Sequence, residues 1–462
     1  MSQRTLKTLR KPLAACMLIA LVAPGMAFAQ TAKEKALEAR VVELERQVQL
    51  LLSSQQQQQV QLSQTEQAVT EVRTVQAEQK PAVPAGKQPI QVTTLTPGAT
   101  PGTTVKIGGF IKADFLATQT GDGQLADDAT GRALYLPGQT PVAGAGGSGE
   151  RSDVDYNAHA KFSRFNLGID NVSESGDKAG AFFEMDFFGN SLGNQTATNT
   201  YGVTLRHAYM YWNNWMAGQT WSNFMDAGSL PEAVDFVGPT DGVIFVRQAQ
   251  IRYTNGGFSV ALENPETTLI NGTSSDRGTL PDLTARYNWK GDWGHFGVAG
   301  IVRQLKVDRS AGGVDYDDDS FAGGVTVGGR WVMSPRNALH YQLTGGEGIA
   351  RYVGLGITGD ATLDAVDGSL DSTGVLAGFV GWRHNINERL RTNLIYARSD
   401  YDNATAAGGL VTRNVQSIRG NVFYTPMPKV DVGAELMYGV REIEDGRKGD
   451  ISRVQFTTKY SF

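Results

Sequence analysis

The residues best suited to chemistry in this sequence are cations that recur out of phase with apolar neighbours. Lys106, Lys112, Arg164, Arg252, Arg286, Arg330, Arg391, Arg419 and Arg453 follow this pattern, and Arg206 and Arg247 join them with a phase the local pattern leaves open. Arginine stays charged and presents a two-pronged fork that matches a carboxylate. Hydrogen-bonding residues share the same faces: Asn166, Gln248, Gln250, Thr284, Asn288, Thr326, Asn393, Ser417 and Asn421. A surface lined this way attracts anions and binds them weakly at several points. Glu184, Asp186, Asp431 and Glu435 lie on these faces too. A second reading therefore stays open, in which the cations brace a wall through ion pairs.

Covalent chemistry finds no support. Gly144-Ala145-Gly146-Gly147-Ser148-Gly149 satisfies G-x-G-x-x-G but lacks a strand-to-helix context. His159, His207, His295, His340 and His384 form no zinc-spaced pair. His207 reads as wall packing. There is no G-x-S-x-G. Asp315, Asp317, Asp318 and Asp319 read as a solvated acidic loop in preference to a calcium site. No catalytic residue, metal or cofactor is expected.

The elements that carry the cations alternate with period two. Val105, Ile107, Gly109, Ile111, Ala113 and Phe115 share one face, and Lys106, Gly108, Phe110, Lys112 and Asp114 the other. Sixteen such segments are expected, near 103–117, 157–171, 178–189, 201–213, 215–222, 243–254, 256–263, 281–290, 293–305, 319–333, 336–348, 371–385, 388–401, 412–426, 428–443 and 449–462. Short connections such as Asn255-Gly256 alternate with long ones near 118–156, 190–200, 223–242, 264–280, 306–318, 349–370, 402–411 and 442–448. Segregated loop lengths are the pattern of a bacterial membrane barrel. The fold class expected is all-β: a sixteen-stranded antiparallel transmembrane β-barrel over 103–462. In sixteen-stranded general porins the third long loop folds inward. Here that loop carries Asp226, Glu232, Asp235 and Asp241 as its constriction residues, with an ordinary surface loop as the alternative. The last strand ends in Phe462, which resembles the signal read by the outer-membrane barrel-assembly machinery.

Upstream, Arg4, Lys7, Arg10 and Lys11 precede an apolar stretch ending in Ala27-Phe28-Ala29. That is a secretory signal over 1–29. A heptad pattern follows, with Leu37, Leu44, Leu51 and Val72 at d and Val41, Val48, Leu62 and Val69 at a. It predicts a periplasmic coiled coil over 30–80, about 54 Å long between Leu37 and Val72 at 1.5 Å per residue. Gln55, Gln58 and Thr65 weaken its seam, so a solvated polar arm remains the alternative. Residues 81–102 carry five prolines and read as an extended linker.

Composition agrees. The chain has 462 residues, 55 Gly, one Cys and a net charge of −5, which becomes −9 without the signal. One Cys excludes an internal disulfide framework. The acidic balance argues against nucleic acid as a partner. A mean hydropathy of −0.27 excludes a polytopic helical membrane protein.

Three stretches carry a narrower resemblance. Arg206-His207-Ala208-Tyr209 with Trp212 and Gly218-Gln219-Thr220-Trp221-Ser222-Asn223-Phe224 is one; Gly109-Phe110-Ile111-Lys112 and Arg247-Gln248-Ala249-Gln250-Ile251-Arg252-Tyr253 are the others. With the preceding coiled coil, they make the mature chain resemble the DcaP-type porin family. The resemblance implies a homotrimeric outer-membrane channel of a Gram-negative bacterium, favouring small anionic solutes and dicarboxylates in particular, with three helices associated on the periplasmic side. The partners expected are outer-membrane lipid and lipopolysaccharide, the assembly machinery through Phe462, and small anions. The competing function is a coiled-coil-bearing barrel that tethers the membrane to the cell wall or a periplasmic partner.

Overall fold

The computed structural model describes residues 103–127, 129–189, 201–270, 278–311, 314–366 and 368–462, with the backbone of Val92–Thr93. The signal over 1–29 and the coiled coil over 30–80, with its seam from Leu37 to Val72, lie outside the described residues. So does the 81–102 linker, apart from Val92–Thr93, which pairs with Lys106 and Val105.

The sixteen barrel strands are β1 (Thr103–Thr120), β2 (Asp155–His159 and Arg164–Val172), β3 (Lys178–Asp186), β4 (Thr204–Trp212), β5 (Trp215–Trp221), β6 (Arg247–Asn255), β7 (Phe258–Glu263) and β8 (Asp282–Gly291). Then come β9 (Gly294–Ala311), β10 (Val314–Ser334), β11 (Asn337–Glu347), β12 (Gly374–Asn385), β13 (Leu390–Asp402), β14 (Thr412–Met427), β15 (Val430–Ile443) and β16 (Lys448–Ser461). Each pairs antiparallel with its sequence neighbours. β16 closes on β1, from Phe110 opposite Ser461 to Thr120 opposite Ile451. Closure leaves no open sheet edge, which is what lets strands cross hydrocarbon. No α-helix occurs among the described residues.

Period-two alternation turns one side chain in two outward. Ile111, Phe115, Ile251, Leu262, Val302, Leu376, Leu394 and Leu436 are exposed on that face. Trp212, Trp215, Trp289, Trp293, Trp331, Trp382, Tyr424 and Tyr460 are exposed near the short-turn end. They form the aromatic belt expected at a membrane–water boundary.

The expected loop alternation needs two corrections. The segment 306–318 is not a long connection. β9 and β10 continue pairing to Ala311 opposite Val314. Leu305 and Val307 stay buried against Leu363 and Leu370 of a small hairpin in the sixth long loop, so the ladder has a surface to continue along. The acidic run is accordingly strand and not loop, with Asp317 and Asp319 still exposed: Asp318 accepts from the Leu370 amide at 2.8 Å and Asp319 from Gln304 at 3.0 Å. The connection at 442–448 also shrinks, since β15 runs to Ile443 and β16 starts at Lys448. β2 is interrupted at 160–163, and that break turns the fully buried Phe162 onto Phe236 with ring centres 4.3 Å apart.

The main apolar core lies inside the barrel. Phe224, Met225, Val243, Ile244 and Phe245 of the third long loop pack with Ile349, Tyr352 and Val353 of the sixth. The loops also join through backbone: the Phe245 amide donates to the Tyr352 carbonyl, and Gly354 to Val243, each at 2.9 Å. Buried apolar area contributes roughly 25 cal/mol per Å², so this cluster holds the loops in the lumen.

Candidate solute pathway

The third long loop leaves β5 and crosses to the opposite wall. At its root, Glu263 accepts from the Asn223 amide at 2.8 Å and from Thr284 at 2.7 Å. Arg286 donates to the carbonyls of Asn223 and Phe224, both at 2.8 Å. Asp226 meets His295 at 2.8 Å and Arg286 at 3.6 Å. Burial alone would raise the Asp226 carboxyl, but His295 and Arg286 outweigh it and hold the group below its ordinary range. Further along, His340 Nδ1 lies 3.2 Å from the Ser229 carbonyl. The amide of Val234 donates to Glu435 at 2.9 Å, and Asn421 to the Glu232 carbonyl at 3.0 Å. Gly242 abuts Gly378 so closely that a Cβ would collide with its carbonyl oxygen. The loop therefore folds inward.

Its four acids act mainly as anchors. Glu232 takes a two-pronged contact from Arg391, 2.7 Å for each nitrogen, and Arg391 also reaches Asp431 at 3.0 Å. Asp235 accepts from the Tyr135 amide at 3.1 Å and lies 3.8 Å from Arg419. Asp241 accepts from the Tyr135 hydroxyl at 2.7 Å and from Ser417. Complete burial pushes the Asp241 carboxyl up to about 6, offset only in part by Arg419, Ser417 and Tyr135.

The predicted cations divide by partner. Lys106 is half-exposed and pairs with Asp170, and Lys112 pairs with Asp114 and donates to the Val234 carbonyl at 3.1 Å. Arg164 lies 3.5 Å from Glu184, which Arg206 contacts at 2.8 Å while reaching Asp186 at 2.9 Å. Arg419 adds Glu435 at 3.4 Å, and Arg453 donates to Thr118 at 2.9 Å and to the Gly131 carbonyl. Like Arg453, Arg247, Arg252 and Arg330 pair with no carboxylate among the described residues, but unlike Arg453 they are not bonded to an inward-folded long loop. Arg247 lies over Trp221 at 5.0 Å, and its buried Nη1 has no hydrogen-bond partner. Among the described residues Arg252 reaches only Gln250 and the Trp221 carbonyl. Arg330 is exposed in a cavity of about 540 Å³ that it shares with Lys290 and His295 and with the carboxylates of Asp226 and Asp292. The open phases resolve inward for both Arg206 and Arg247. Arg206 is buried while Leu205 faces outward. Arg247 stands in the row of the outward Ile251, but at the first position of β6 its guanidinium turns over Trp221, which packs on Phe245 of the inner core.

Other pathway residues escaped the sequence reading. Arg303 is fully buried against Asp282 at 3.4 Å and Asp360 at 3.0 Å. Arg351 pairs with Asp282 at 3.6 Å, and Arg441 donates to Thr412 and the Thr140 carbonyl. The phase rule missed Arg303 because its row also holds Ile301, Leu305 and Val307, all buried inward beneath the folded loops. The opposite row runs Val302, Gln304 and Lys306, so the apolar side of β9 there is the inner one and alternation gives the wrong direction.

A closed barrel with an apolar belt outside, a charged interior and a loop folded across that interior defines an outer-membrane channel. The chain belongs to the DcaP outer membrane protein family, which it matches over residues 102–462. It is similar to the outer membrane channel DcaP of Acinetobacter baumannii, with 26% identity, a TM-score of 0.65, and 78% of this chain and 98% of that one covered. Weaker likeness extends to an anion-selective porin from Comamonas acidovorans (11% identity, TM-score 0.46, 78% and 100% covered) and to Salmonella typhi OmpF (12%, 0.48, 78% and 98%). No curated protein matches. The protein is thus a porin-type channel of the Gram-negative outer membrane, and its family is one of channels, not enzymes.

Proposed function

We propose that the channel conducts small anions by passive diffusion, with dicarboxylates as its main solutes. The observation that supports this most is the cationic excess left after pairing: Arg247, Arg252 and Arg330 have no carboxylate partner among the described residues. Unpaired guanidiniums beside a narrowed lumen raise the local anion concentration, and their separation lets a solute pass from one to the next. The dicarboxylate preference rests on the family resemblance together with the fork geometry of arginine. On the same reading the short-turn end is periplasmic. The heptads at 30–80 associate three copies there after the 1–29 signal is removed, and Phe462, whose amide bonds to Gly109 at 3.1 Å, is read during barrel assembly.

Planar-bilayer recording under a KCl gradient tests the reading. The expected reversal potential has the sign of anion preference, and succinate titrated into the bath reduces KCl current. A strong cation preference overturns it.

A further inference from the structure

A cavity of about 590 Å³ opens at the short-turn end of the lumen, where Glu232 of the inward loop meets the turns after β10 and β12. Four guanidiniums line it, from Arg336, Arg383, Arg389 and Arg391, against the carboxylates of Glu232 and Glu388. They are not equivalent. Arg391 is committed to Glu232, Asp431 and Thr425. Arg383 stands 4.0 Å from Glu232 and bonds Asn385 at 3.3 Å, so its contact with the acid is loose. The exposed side chains of Arg336 and Arg389 have no hydrogen-bond or ion-pair partner among the described residues.

The backbone beneath these two cations is held. The Asn385 amide donates to the Arg336 carbonyl at 2.8 Å, which ties one turn to the next. Asn387 Oδ1 accepts from the amides of Arg389 and Leu390, each at 2.9 Å, and fixes the second turn. Two free guanidiniums thus leave adjacent, mutually braced turns and border one concavity, with Arg383 between them. Arg383 and Asn385 share the inward row of β12, while Trp382 and Ile386 are exposed on the outward row. The cavity therefore opens to the lumen, not to lipid. Its volume falls within the few hundred to about 1,000 Å³ of small-molecule sites. A cavity bordered by two separate forks suits a ligand with two separated carboxylates better than a single point charge.

We propose that Arg336, Arg383 and Arg389 form a docking site for a small dicarboxylate at the short-turn mouth, on one side of the constriction. The site rests on the anion-channel reading above and adds an asymmetry to it. A solute arriving from the short-turn side meets the site before the constriction; one arriving from the long-loop side must first pass the inward loop.

Single channels of the full chain in a planar bilayer test this, with disodium succinate added to one side and then, in a separate recording, to the other. The two half-blocking concentrations should differ. In Arg336→Ala/Arg389→Ala the difference should vanish, the weaker block shifting little and the tighter one by up to about thirtyfold, the ceiling for two exposed ion pairs. The double variant should keep the sign of its reversal potential, because Arg247, Arg252 and Arg330 are untouched. Equal block from both sides, or an asymmetry that survives the double variant, overturns the docking site while leaving the anion reading intact. A cation-preferring reversal potential in the unaltered chain overturns the reading beneath both.

Discussion

Arg419 and Arg247 both turn their guanidiniums away from lipid, yet their surroundings are opposite. Arg419 on β14 is fully buried between Glu435, Asp235 and the ring of Tyr135. Arg247 on β6 has the face of Trp221 and no carboxylate partner among the described residues. The wall from β13 round to β1 receives the tip and return of the inward loop, and its cations are spent on anchoring. The wall from β6 to β10 carries Arg247, Arg252 and Arg330 without such pairing. One residue type thus does two jobs, and the acids of a remote loop decide which. A buried cation with paired acids holds shape, whereas a lumenal cation without them contributes field.

The largest effect that would test the contrast is on Arg419. Arg419→Ala strands Glu435 and Asp235 in a buried site, and breaking such a pair costs about 3–5 kcal/mol. A lower denaturation midpoint in detergent and a larger single-channel conductance are expected, because the loop loses a hold on β14 and β15. An unchanged midpoint would erase the anchoring half of the comparison. Next, Arg247→Ala/Arg330→Ala should lower the anion-to-cation permeability ratio while costing little stability, within about 1 kcal/mol for the lost cation–π contact. Equal selectivity in this variant and the unaltered chain would remove these residues from the pathway.

The smallest effect concerns pH. Asp241 is buried with its carboxyl raised to about 6 from 3.8, so its protonated form favours the folded loop. The support it lends is complete below about pH 4 and is lost as pH rises through about 6. Asp226 is held low and has the opposite sign: its support is present above the ordinary carboxylate range and is lost as pH falls below it. Asp241→Asn should therefore gain thermal midpoint relative to the unaltered chain between pH 4 and pH 7. A constant difference across that window would mean that Asp241 does not titrate there.

Much of the barrel was legible because a strand at a membrane boundary must alternate. The outward series Ile107, Ile111 and Phe115 is apolar since lipid is, and the turn at Asn255-Gly256 reads directly, with Gly256 at φ +60°. The extended β9–β10 ladder was not legible. Its packing partners, Leu363 and Leu370, lie in another loop, and without them the acids on β10 read as a loop. The mouth cavity escaped for a similar reason, since Arg336 and Arg389 sit on turns, where strand phase has no meaning.

The sequence by itself determined strand number, the lipid-facing rows, the family and the presence of an arginine-rich interior, because each is written in short-range periodicity or in contiguous motifs. The tertiary structure alone decided how the interior charges are partnered. Asp226, Glu232, Asp235 and Asp241 lie far in sequence from the strands they reach: Glu232 meets Arg391 across 159 positions, and Asp241 meets Ser417 across 176. Coulomb attraction depends on distance and burial, and neither exists until the loop has crossed the barrel.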